Sequence, residues 1–105
     1  MAGGAAMSAV VVEADLIPDR GVTVIEHDTD RIAVFRAGDA YYAIDDVCPH
    51  AGGSFAQGPF DGRVVTCPLH LFRVDVTTGR STTNAFLRVR TFRVERDGAF
   101  VRVLV

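Results

Sequence analysis

The sequence predicts an all-β, antiparallel fold, and three observations carry that prediction. No stretch shows a convincing amphipathic-helix period of apolar residues. Short β-branched runs alternate with turns built from Gly, Asp and Pro. Two dipeptides, Gly38-Asp39 and Asp97-Gly98, sit between such runs and read as hairpin turns.

Taken in order, Val10 to Glu13 and Val22 to Glu26 are β-branched strands. Arg31 to Ala37 and Ala40 to Asp45 flank the Gly-first hairpin turn. From Val47 to Pro59 the alternation stops, and three glycines and two prolines mark a structured loop. The turn Asp61-Gly62 leads into a short strand, Arg63 to Thr66, and Leu71 to Val76 forms another, ended by Thr77-Thr78-Gly79. Arg88 to Arg96 and Ala99 to Val105 flank Asp97-Gly98. In Arg88-Val89-Arg90-Thr91-Phe92-Arg93-Val94 polar and apolar residues alternate, so one face is buried and Arg lines the other. The apolar terminus Leu104-Val105 places the last strand inside a sheet.

A chain of 105 residues makes one domain, large enough to bury roughly two-thirds of its unfolded surface without disulfides. We assign 10–105 to that domain and expect Met1 to Ala9, small and Gly/Ala-rich, to be disordered. This stretch lacks the charged n-region of an export signal, and Ala9-Val10-Val11-Val12 is too short to span a bilayer. A net charge of −2 and a basic complement that is all Arg give no footprint for nucleic acid. No membrane partner is expected either.

The chemistry is concentrated in two loops. Cys48-Pro49-His50 and Cys67-Pro68-Leu69-His70 contain the only two cysteines and two of the three histidines. The pattern is C-x-H, sixteen residues, then C-x-x-H. Each loop must turn tightly to aim both its ligands at one place, and Pro49 and Pro68, which lack N–H groups, stiffen these turns. Two thiolates and two imidazoles can hold one metal centre. With both thiols committed to a metal, no structural disulfide remains, which fits a reducing, cytoplasmic setting.

The segment from Cys48 to about Gly79, reading CPHAGG, GPFDGRVVTCPLH and a strand ending in TTG, resembles the Rieske [2Fe–2S] family, in particular its soluble ferredoxin branch. The resemblance implies a small antiparallel β-sandwich or barrel with two cluster-binding loops at one end, holding one [2Fe–2S] cluster per chain. Cys48 and Cys67 would bind one iron, and His50 and His70 the other. High-potential members carry a second Cys in each loop, bridged to one another. Gly53 and Leu69 stand at those positions here, so no bridge can form. The Ser and Tyr that donate hydrogen bonds to cluster sulfur are replaced by Phe72 and Val74, whose side chains carry no donor. Fewer such bonds lower the reduction potential. The family's usual Gly after the second His is Leu71, which implies a local adjustment and a larger apolar docking surface.

The main chemical alternative is a zinc-bound structural module, since two Cys and two His are also a tetrahedral zinc set. One Cys and one His per loop suits a binuclear cluster better. Among the remaining residues, His27 reads as a surface histidine, Asp45-Asp46 as a solvated strand end, and the Arg88, Arg90 and Arg93 face as solvated. Phe55, Phe60 and Phe72 read as an apolar cover over the cluster.

Two functions follow from the resemblance. The first is an electron carrier from a flavin reductase to a terminal oxygenase of the aromatic-ring dioxygenase type, with no small-molecule substrate of its own. The second is the small subunit of an assimilatory NAD(P)H nitrite reductase, fixed to a large subunit. The sequence names neither donor nor acceptor, and it leaves the final substrate and the oligomeric state open.

Overall fold

A computed structural model describes residues 8–49, 52–69 and 71–105. Its strands are β1 (Ala9–Glu13), β2 (Val22–His27), β3 (Asp30–Ala37), β4 (Ala40–Asp45), β5 (Val64–Thr66), β6 (Arg73–Asp75), β7 (Thr91–Phe92), β8 (Val94–Asp97) and β9 (Phe100–Leu104). They pair antiparallel in three sheets, ordered β1-β9-β8, β2-β3-β4-β7 and β5-β6. The predicted all-β antiparallel architecture is the one observed.

β3 explains the layering. Ile32, Ala33, Val34 and Phe35 are all fully buried, so this strand is apolar on both faces. Ile32 and Val34 pack with Val12, Ile17, Ala43 and Val103, joining the middle sheet to β1-β9-β8. Ala33 and Phe35 face the other way, into a cluster that contains Cys48, Phe55, Val65, Cys67, Phe72 and Val74. The β5–β6 hairpin and the first Cys loop therefore sit on one side of the middle sheet, with a packed layer beneath the sulfurs. Burying each such side chain is worth roughly 1.5–3 kcal/mol.

The hairpin turns follow backbone chemistry. β3 and β4 pair Ala37 with Ala40, and Gly38 takes φ +63°, as a Gly-first two-residue loop requires. β8 and β9 pair Asp97 with Phe100, so their loop is Gly98-Ala99 rather than the expected Asp97-Gly98. Gly98 again occupies the first loop position, at φ +61°. The dipeptide fits either register, and the cross-strand pairs decide between them.

Two further expectations need correction. Arg88 to Arg96 is not one strand. Thr91–Phe92 pairs with β4 in the middle sheet, whereas Val94–Asp97 pairs with β9. The chain changes sheet at Arg93, and the polar–apolar alternation runs through the change unbroken. At the other end, β1 already includes Ala9, paired with Leu104, and the Ser8 carbonyl accepts from the Val105 amide. Ala9 is thus ordered within a sheet, and Met1 to Met7 lie outside the described residues.

Candidate metal centre

The first Cys loop closes on itself. The Cys48 N–H donates to the Gly53 carbonyl and the Gly52 N–H to the Cys48 carbonyl, each at 2.8 Å. Gly52 sits at φ +74°, a conformation glycine adopts without strain. A bridge between Val47 and Ser54 ties the loop at its base.

Beneath it lies Asp46, which sequence reading placed in solvent and which is only 1% exposed. Its carboxylate accepts from Ser54 Oγ at 2.7 Å and from the Ala56 N–H at 2.8 Å, and faces an Arg31 guanidinium nitrogen at 3.4 Å. A buried carboxylate with these partners staples the loop to β3. Asp46→Ala would leave those donors unpaired and is expected to cost about 2 kcal/mol. Urea denaturation would read this directly, with Asp46→Asn falling between; an Ala variant as stable as the parent would refute the staple. Asp45, next door, receives Arg90, which also reaches Asp30 at 2.7 Å and lies over the Phe92 ring. Arg90 is therefore a cross-strand tie. Arg88 and Arg93 are exposed, as expected of that face.

The second Cys loop spans the β5–β6 hairpin, whose register pairs Thr66 with Arg73. The Cys67 N–H donates to the Phe72 carbonyl at 2.7 Å. The adjustment expected at Leu71 is visible: this leucine sits at φ +57° and is 68% exposed. Asp61 starts the hairpin by accepting from the Arg63 and Val64 amides. The Val64 and then the Arg63 hydrogen bond hold its carboxyl below the usual range.

The two loops bring the cysteines together. Cys48 and Cys67 are both buried and neither is in a disulfide. Burial pushes the Cys67 thiol up, the Leu69 and Gly53 N–H groups aimed at its sulfur oppose this, and the Cys48 side chain is its hydrogen-bond partner. A Cβ on Gly53 would stand 2.9 Å from Cys67 Sγ and 3.1 Å from Leu69 Cδ1. Gly53 and Leu69 are thus neighbours across the loops, as the resemblance implied, and neither can form a bridge. Two convergent thiols, amide donors aimed at one of them and a cradle kept open by glycine fit a metal centre that takes thiolate ligands. His50 and His70 lie outside the described residues.

Phe55 and Phe72 lie 6.5 Å apart in the core with the cysteines, and Phe60 packs on Phe35 at 4.7 Å. Phe55 and Phe72 thus belong to the packed layer beneath the sulfurs, buried and unavailable as contact area, and Phe60 is half-buried. His27 ends β2 beside Asp28, at the surface as expected.

With two buried thiols meeting between two such loops, comparison with known proteins is decisive. The Rieske [2Fe-2S] domain family matches residues 7–93. This chain belongs to the Rieske family. It is 30% identical over 88 residues to the ferredoxin component of a naphthalene 1,2-dioxygenase system from Pseudomonas aeruginosa, covering 83% of this chain and 85% of that one. The ferredoxin of carbazole 1,9a-dioxygenase from Nocardioides aromaticivorans IC177 superposes with a TM-score of 0.85 at 35% identity, covering 91% of this chain and 96% of that one. A complex of reduced oxygenase and oxidised ferredoxin in carbazole 1,9a-dioxygenase matches with a TM-score of 0.85 at 28% identity, covering 91% and 92%. A NADH-dependent nitrite reductase small subunit from Mycobacterium tuberculosis shares the fold, with a TM-score of 0.84 at 17% identity, covering 95% and 96%. The cofactor of this Rieske protein is a [2Fe–2S] cluster. Among the described residues no helix is long and apolar enough to cross a membrane.

Three features escaped sequence reading: the burial of Asp46, the tie made by Arg90, and a third loop beside the second Cys loop. The Thr82 N–H donates to the Arg73 carbonyl and the Arg73 N–H to Thr83 Oγ1, pinning that third loop in place. Nothing in its composition signals this position.

Proposed function

We propose that this chain is a Rieske-type ferredoxin that accepts electrons from a flavin reductase and delivers them to the terminal oxygenase of an aromatic-ring dioxygenase system. Cys48 and Cys67 bind one iron, and His50 and His70 the other. The observation that carries this reading is the meeting of Cys48 and Cys67, buried under two loops, in a chain 30% identical to a dioxygenase ferredoxin across most of both lengths. The bound cluster supplies one-electron redox chemistry. The protein's residues hold it through the loop hydrogen bonds, exclude water with Phe55 and Phe72, and aim N–H groups at the Cys67 sulfur. Protein partners are the only substrates in this reading, and the two free thiols support a cytoplasmic location.

The nitrite reductase reading rests on neighbours such as the one at 17% identity, a likeness of fold alone. Zinc is disfavoured by the family match.

The test is reconstitution. Reduced protein mixed with a terminal oxygenase of the naphthalene dioxygenase type should be reoxidised rapidly in stopped flow. Tight co-purification with a large sirohaem subunit instead would favour the second reading. A redox titration should place the potential near the low end of the Rieske range, about −150 mV, because Phe72 and Val74 carry no side-chain donor. A strongly positive midpoint would contradict that.

A further inference from the structure

The ion pair under the first Cys loop is lopsided. The Asp46 side chain is 1% exposed, whereas that of Arg31, 3.4 Å away, is 50% exposed. Water around the guanidinium weakens its field, while the carboxylate keeps its field inside the protein, where screening is poor. The groups that fix the carboxylate are the Ser54 hydroxyl, the Ala56 N–H and the guanidinium, all of them donors to it. Among the described residues, Asp46 is the one charged side chain that is buried.

Its location gives that charge an effect. Asp46 precedes Cys48 by two residues, and its carbonyl accepts from the Phe55 N–H at 2.9 Å. Ser54, which donates to the carboxylate, follows Gly53, and a Cβ on Gly53 would stand 2.9 Å from the Cys67 sulfur. The carboxylate is therefore held by the same loop that meets both thiols. The side chains packed with those thiols are apolar, Phe55, Val65, Phe72 and Val74 among them, and apolar packing does little to screen a charge.

We infer that Asp46 tunes the reduction potential of the centre: its buried charge holds the midpoint down, and Arg31 partly offsets it. Reduction adds one electron, hence one negative charge, between the loops, and no bond to the protein forms or breaks. A fixed negative charge beside that point makes the addition less favourable. Asp46 thus acts in the same direction as the missing side-chain donors at Phe72 and Val74. The inference rests on the [2Fe–2S] cofactor and on no choice of redox partner.

The test is a mediated redox titration of the holoprotein at one fixed neutral pH, with iron and sulfide analysis so that potentials are compared on loaded protein. Asp46→Asn keeps the size of the side chain and removes its charge. It should favour the reduced form by about threefold or more, a rise of about 28 mV at about 59 mV per tenfold. Arg31→Gln should lower the midpoint, because the carboxylate then acts without its counter-charge. A loosened loop cannot give opposite shifts: both variants break the same tie, and water admitted by either would move the potential the same way. Asp45→Asn removes an equal charge one residue away, from a side chain that is 32% exposed, and should shift the midpoint less than half as far as Asp46→Asn. Failure of Asp46→Asn and Arg31→Gln to shift in opposite directions, or a larger shift than this in Asp45→Asn, would overturn the tuning role. If Asp46→Asn holds no cluster, Arg31→Gln decides alone, a lowered midpoint supporting the role and an unchanged or raised one overturning it. A parent protein without a [2Fe–2S] spectrum would overturn the cofactor, and this inference with it. A protein that shows these shifts but reduces no dioxygenase-type oxygenase would overturn the proposed function and leave the tuning role supported.

Discussion

Cys67→Ser is expected to yield a protein without the visible absorbance of the cluster and with its melting temperature lowered by more than about 10 °C. The physical reason is linkage. A group that binds only the folded chain stabilises it by its binding free energy, and here the ligands converge only once both loops are closed. Losing at least about 3 kcal/mol in a domain of this size shifts melting by roughly 4–8 °C for each kcal/mol. The serine hydroxyl would sit where the Leu69 and Gly53 N–H groups are aimed at a sulfur, but its oxygen is a poor substitute for a soft thiolate. Cys48→Ser should behave alike, since Cys48 is equally buried and is the hydrogen-bond partner of Cys67. Iron and sulfide analysis alongside calorimetry checks the prediction. A Ser variant that stayed coloured and stable would remove that cysteine from the ligand set.

Gly58→Ala should be nearly as severe for a different reason. At this position the backbone of the first loop rests on that of the second: an added Cβ would lie 1.7 Å from the Thr66 carbonyl oxygen and 3.2 Å from Pro68. Neither neighbour is a flexible tip that could swing away. One loop must move, and Thr66 directly precedes Cys67. Overpacking of this kind costs about 3 kcal/mol or more. Because the displacement alters the spacing between the loops, we expect cluster content to fall together with stability. The Gly52 position makes a useful contrast, since a Cβ there meets nothing within 4 Å and only its φ of +74° resists substitution. Gly52→Asn should therefore be tolerated far better.

These cases show what could be read from the residues and what could not. The two Cys loops were legible because soft ligands are scarce in this chain, so their grouping into two short motifs is conspicuous. β3 was legible because a β-branched and aromatic run bounded by turns has few other uses. Leu71 stood out as a leucine where the family usually has glycine, and its positive φ is the physical counterpart. Other features depend on what the chain meets after folding. Asp46 resembles any strand-end carboxylate until Ser54 and the Ala56 amide come round to it. Arg93 is one more polar residue in an alternating run, and only the pairing partners reveal that the strand has changed sheets. Phe86, 95% exposed, lies in a segment of Ser, Thr and Asn that reads as an ordinary loop, and the hydrogen bonds to Ser81 and Asn84 that hold this segment leave no trace in any periodicity.

The layered arrangement also bears on how the protein is made. β5 and β6 pair only with each other among the named strands, and their other backbone bonds run to adjoining loop segments, Phe60 with Val65, Val74 with Ser81 and Thr82 with Arg73, while side chains pack them against the middle sheet. The opposite layer has its own core, built from Val12, Ile17, Ile32, Val34 and Val103. Side-chain packing can be undone locally while the ladders of the other two sheets stay intact, so the hairpin is a separate opening unit. A newly synthesised chain can thus stand folded on its lower half with the hairpin ajar and both thiols within reach of an assembly scaffold. Maturation then amounts to closing a latch, and hydrogen exchange should find the amides of β5 and β6 fast before loading and slow after it.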